Sequence, residues 1–112
     1  MTAIDDRTLL IRLGQPAPYL LGLLAQPGTF PVHSPSLAAH GAGYARPGKL
    51  LSNGAFVLDD WVLGSHVVAR RNPHYWNNAA TALERVHYLH IADAGTELRQ
   101  YRAGQLDFTY VE

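Results

Sequence analysis

Cysteine is missing altogether. That removes a disulfide framework, a thiolate metal site and a cysteine nucleophile, and it suits the periplasm and the cytoplasm equally. An excess of either charge is missing too, because nine Lys and Arg balance nine Asp and Glu. Phosphate contacts need a basic surplus, so the balance argues against a nucleic-acid partner and against an anionic membrane surface. Long apolar runs are also lacking. The longest, residues 19–25, falls far short of the ~20 residues of a membrane span. The opening Met1-Thr2-Ala3-Ile4-Asp5-Asp6 has no basic n-region and no apolar h-region, so no signal peptide is read there. Either the protein is cytoplasmic or the chain begins inside a longer one.

What is present is the composition of an ordinary globular piece. The chain has 112 residues, 47% of them hydrophobic and 16% charged, which suits one small domain and argues against disorder. Residues 8–13 alternate Leu9, Ile11 and Leu13 on one face and predict a strand. Pro16 and Pro18 open a short helix running to Ala25, which Pro27-Gly28 stops. Residues 26–51 are punctuated by Pro and Gly, with a helical turn or two expected at 36–40. Residues 55–63 and 66–70 are strand formers around Gly64-Ser65. They predict a β-hairpin with a two-residue II′ turn, its first arm apolar on both sides and buried on both. A turn follows at 72–78, then a strand at 85–91. Asp93 is the expected N-cap of a helix to Ala103, with Gly104 at its stop. Residues 106–111 predict a last strand. The sequence ends there without a turn or cap, so both ends are expected to be cuts in a longer chain.

No catalytic constellation emerges. His87 and His90, three apart on an expected strand, point to opposite faces and cannot share an ion; the other four histidines are scattered. Asp5-Asp6 and Asp59-Asp60 are neighbours whose side chains diverge in an extended chain, as solvated carboxylates do. Ser34, Ser36, Ser52 and Ser65 all lie outside a Gly-x-Ser-x-Gly elbow. Gly41-Ala42-Gly43 lacks the strand and third glycine of a dinucleotide fingerprint. The aromatics of the second half, Trp61, Tyr75, Trp76, Tyr88, Tyr101, Phe108 and Tyr110, read mainly as core, with one or two left over for a cleft.

The order of the motifs points further. Leu51-Ser52-Asn53-Gly54-Ala55-Phe56-Val57-Leu58, then Trp61, then Arg70-Arg71-Asn72-Pro73-His74-Tyr75-Trp76-Asn77, resembles the peptide/nickel-type (family 5) solute-binding proteins of ABC importers. Thr96-Glu97 and Tyr101-Arg102-Ala103-Gly104-Gln105-Leu106-Asp107 fit downstream, as do 8–13, Pro18-Tyr19-Leu20 and Phe30-Pro31-Val32 upstream. The oligopeptide-binding branch is the most similar, although dipeptide, nickel and sugar binders share much of the pattern. Asn53-Gly54 suits a positive-φ turn before a strand. Pro73 pushes Asn72 out of the helical region, and Tyr75 and Trp76 are expected to fold back over the core.

The resemblance implies an α/β (α+β) fold: a mixed sheet with a β-hairpin and short helices, one part of a lobe of a periplasmic-binding-protein type II fold. Residues 1–112 would be a single fragment of the first lobe, truncated at both ends. The parent would capture an oligopeptide or similar small solute outside the inner membrane, periplasmic or membrane-anchored. It would deliver that solute to an ABC permease, with no cofactor, no metal and no covalent chemistry. The alternative is the ligand-sensing domain of a transcription regulator. By position in the family pattern, the residues just after Asp107-Phe108-Thr109 reach the ligand. These are Tyr110 and Val111, the latter through its backbone alone. The fragment by itself is expected to leave lobe surface uncovered and to self-associate.

Overall fold

The computed structural model describes residues 1–110, which divide into two compact units, 1–32 and 33 onward. In the first, β1 (Thr2–Asp5) pairs antiparallel with β2 (Thr8–Leu10). The Asp5 carboxylate accepts the Arg7 amide at 2.8 Å and closes the turn between them. The expected strand thus ends at Leu10, three residues early, because Thr2↔Leu10 is the last rung of the ladder. Beyond it β1 offers nothing to pair with, and β1 itself escaped the sequence reading.

Helix α1 (Leu20–Leu24) starts after both prolines rather than at them. A residue that precedes proline is driven from the helical region, and Ala17 precedes Pro18. A turn bond from the Leu20 amide to the Ala17 carbonyl at 3.0 Å leads in, and the first helical bond runs from the Leu23 amide to the carbonyl of the cap, Tyr19, at 3.0 Å.

The second unit opens with α2 (Ser34–His40), longer than expected at its start. Pro35 sits in the first turn, where a missing amide is harmless. His33 is the cap, its Nδ1 accepting the Ser36 amide at 3.2 Å. A 3-10 turn, Gly41–Ala45, follows. The centre of the unit is an antiparallel sheet in the order β3 (Phe56–Val62), β4 (His66–Arg71), β5 (Arg85–Leu89). Then comes α3 (Ala94–Arg102), capped as expected by Asp93, whose carboxylate accepts the Thr96 amide at 2.7 Å.

The hairpin is where it was expected, but its turn is not. Val62 pairs with His66, so three residues form the tip, and the Ser65 amide donates to the Val62 carbonyl at 3.0 Å. Gly64, with φ +73°, is therefore the third residue of the four-residue turn. That is the type II position for positive φ, where II′ would need the second. A β-bulge lies between Leu58 and Asp60, so that Asp59 is an extra residue opposite β4.

The register sorts the sheet into two unlike faces. Phe56, Leu58, Trp61, Val67, Ala69, Arg71, Val86 and Tyr88 share one, with the Arg46 guanidinium 5.6 Å from the Trp61 ring centre. Val57, Asp59, Asp60, Val62, His66, Val68, Arg70, Arg85, His87 and Leu89 share the other, which carries most of the sheet's charge. The first arm is consequently not buried on both sides: 56–59 are half-buried and 60–62 exposed. Among the described residues the buried side chains are Val68, 7% exposed, and Asn72, 3% exposed. Trp76 is 84% exposed and covers no core, contrary to expectation. Residues 106–110 form no strand either, because a strand needs an edge beside it and the described residues provide none there.

Candidate functional site

Asn72 organises the chain after the hairpin. Pro73 holds it extended, and its own amide donates to the Ala55 carbonyl at 2.9 Å. Its side-chain amide donates to the Gly54 carbonyl at 2.8 Å and to the Ser52 carbonyl at 3.1 Å. Its side-chain oxygen accepts the His74 amide at 3.0 Å, and its carbonyl accepts the Tyr75 amide at 3.2 Å. Every hydrogen-bonding group of this buried residue is thereby used. The two most recognisable segments of the sequence, Ser52-Asn53-Gly54 and Asn72-Pro73-His74, are thus one junction. Asn53 and Gly54 were expected at positive φ, yet neither adopts it. Glycine is favoured at 54 by a close approach, since a Cβ there would stand 3.3 Å from the Ser52 hydroxyl.

Arg71 braces the next turn. It donates to the Asn78 side chain at 2.6 Å, to the Asn78 carbonyl at 3.0 Å and to the Glu84 carboxylate at 2.7 Å. Arg70, Arg71, Pro73, Asn78 and Glu84 line an open depression in which Arg71, Asn78 and Glu84 already serve one another and Arg70 is taken by Asp59.

The more polar sheet face holds three ion pairs. The bulged Asp59 lies 3.2 Å from both Arg70 and Arg85. Asp60 pairs with His66 Nε2 at 3.1 Å, and Ser65 Oγ stands 2.9 Å from the other ring nitrogen. The His66 bond, and then the Trp61 amide, hold the Asp60 carboxyl below its ordinary range. Serine, histidine and aspartate in sequence invite comparison with a nucleophilic triad. Here they sit on an exposed hairpin tip, with no enclosed space for a substrate. No group of three metal-binding side chains converges among the described residues.

The position singled out for ligand contact lies at the end of the described chain. Tyr110 is 81% exposed and meets Phe108, 70% exposed, edge to face at 5.1 Å and 84°. Thr109, between them, is half-buried and its hydroxyl donates to Glu97 of α3. Val111 lies outside the described residues. Phe108 and Tyr110, two apart, have the spacing that shares one face of an expected strand; the Glu97 anchor escaped the sequence reading, since its spacing of 13 residues from Tyr110 matches no local periodicity.

Set beside known proteins, residues 1–112 match the model for bacterial extracellular solute-binding proteins, family 5 Middle. The chain is 43% identical over 107 residues to the periplasmic oligopeptide-binding protein OppA of Escherichia coli, covering 96% of itself and 20% of that protein. It is also 43% identical over 109 residues to the probable deoxycholate-binding periplasmic protein YgiS of the same organism, covering 97% of itself and 20% of that protein. The structure of the Escherichia coli murein tripeptide binding protein MppA superposes with a TM-score of 0.86 at 37% identity, over 95% of this chain and 21% of that one. The chain therefore spans about a fifth of the length of these relatives. None of the proteins named is a transcription regulator.

Proposed function

The chain belongs to family 5 of the bacterial extracellular solute-binding proteins, and we propose that it forms part of the first lobe of an ABC importer's substrate-binding protein. That protein captures oligopeptides or closely related solutes outside the inner membrane and passes them to a membrane permease, without covalent chemistry. The observation that carries the reading is the Asn72 junction. It unites, in one buried set of hydrogen bonds, the two motifs by which the family is recognised. A peptide is favoured over other solutes because OppA and MppA are named for peptides, whereas YgiS is named for a bile acid.

Within that receptor we assign Tyr110 to the ligand side. Its exposed ring, set edge to face against Phe108, offers an apolar surface that a bound solute can cover. Val111 would add a backbone contact.

Native mass spectrometry of the protein expressed from its complete gene and purified gently tests the proposal. A ladder of co-purified short peptides is expected. A single bile-acid or metal-complex mass would move the protein to another branch, and a ligand-free protein that retains a DNA-binding domain would overturn the importer reading.

A further inference from the structure

The segment after α3 is tied back to that helix through one side chain. The Thr109 hydroxyl oxygen lies 2.5 Å from Glu97 Oε1 and 3.4 Å from the Tyr110 carbonyl oxygen. A hydroxyl has one proton. The shorter partner takes it, because bonds from a hydroxyl to a carboxylate are the short, strong kind. The carboxylate itself is well founded. Glu97 is half-buried in the first turn of α3, and its amide donates to the Asp93 carbonyl at 3.0 Å. Phe108 and Tyr110 flank the anchored threonine and lean on each other, with both rings facing outward. Holding Thr109 inward therefore sets the direction of both rings.

We propose that Glu97 is a positioning residue for ligand capture: through Thr109 it fixes Phe108 and Tyr110 as a preorganised apolar platform for a hydrophobic side chain of the bound peptide. The inference rests on the assignment of Tyr110 to the ligand side made above. Preorganisation matters here because a ring that must be immobilised on binding weakens affinity by the entropy it loses.

The test is isothermal titration of the intact protein with the tripeptides Ala-Phe-Ala and Ala-Lys-Ala. Glu97→Ala and Thr109→Val should each weaken Ala-Phe-Ala by roughly three- to tenfold, the scale of one lost hydrogen bond. Ala-Lys-Ala should be affected less. Thr109→Ser and Glu97→Gln keep a donor and an acceptor and should restore most of the affinity. In a Tyr110→Ala background, Glu97→Ala should add nothing, which a merely structural residue would not obey. If Tyr110→Ala weakens binding but Glu97→Ala does not, or if the two effects simply add, the inference falls and the Tyr110 assignment stands. If Tyr110→Ala leaves affinity unchanged, or the wild-type protein takes up neither peptide, both fall.

Discussion

The side-chain amide of Asn72 donates to the carbonyl of Gly54, 18 positions earlier in the chain, at 2.8 Å. With its second donor on Ser52, the same amide closes the base of the β3–β4 hairpin. Because Asn72 is buried, the carbonyls that would lose it have little water to replace it.

Asn72→Ala is therefore expected to destabilise the protein by about 1–3 kcal/mol, the penalty for stranding buried polar partners. Asn72→Asp should be worse near neutral pH, because a carboxylate cannot donate to either carbonyl and repels both. Urea denaturation of the intact protein measures this. A change within about 0.5 kcal/mol for both variants, typical of an ordinary surface site, would show that the junction is ornamental.

Three carboxyls sit below their ordinary range: Asp5 through the Arg7 amide, Asp60 through His66 and the Trp61 amide, and Asp93 through the hydroxyl and then the amide of Thr96. For an acid whose folded-state pKa is depressed, the stabilisation is complete above the unfolded-state value. It is lost as pH falls through the folded one. Stability should thus decline below about pH 4, the ordinary aspartate range. The Asp60→Asn/Asp93→Asn double variant should show a shallower decline there than wild type. Thermal melts between pH 2 and pH 6 decide it, and parallel curves would refute the assignment.

Glycine-to-alanine changes should have opposite signs at two positions. Gly64 has φ +73°, which an L side chain resists, so Gly64→Ala is expected to destabilise by roughly 1 kcal/mol and Gly64→Asn by less. Gly22 lies inside α1 with nothing within 4 Å of a Cβ built on it, so Gly22→Ala should stabilise by about 0.5–1 kcal/mol. Denaturation midpoints of the two variants should move apart; movement in the same direction would contradict the turn geometry.

Expressed by itself, the 112-residue chain should self-associate. Its β3–β4–β5 sheet presents Trp61, Tyr88 and Leu89 to solvent, and α1 presents Leu21, Leu23 and Leu24. Exposed apolar surface of that kind is covered by something in a stable protein. Light scattering across a concentration series should reveal oligomers, and a monomer at the highest concentration would count against the idea.

How much of this was legible depended on how local each cause was. The hairpin announced itself through strand formers on either side of Gly64-Ser65, and Asp93 announced its helix. The turn type did not follow, because it depends on which residues pair across the tip, and Val62 with His66 is a tertiary choice. The strand expected at 106–111 does not form over the described residues 106–110 for the same reason: propensity proposes a strand, but an adjacent edge makes one. The order of motifs identified the family, while the bond that unites them remained hidden. Asn72 before proline reads as a turn, and nothing in that dipeptide points to Ser52 or Gly54. The Glu97 anchor for Thr109 was equally silent, since a carboxylate in a first helical turn is expected to serve the helix.

The Asn72 junction also orders events in time. Joining residues 54 and 72 directly in an open chain would require closing a long loop, at an entropic cost of several kcal/mol. Once β3 and β4 have zipped outward from Gly64, the two ends already lie side by side and the clasp closes almost without further loss. It should form late, after the folding barrier. Asn72→Ala is then expected to speed unfolding and leave the folding rate nearly unchanged in stopped-flow measurements, whereas Gly64→Ala slows folding itself.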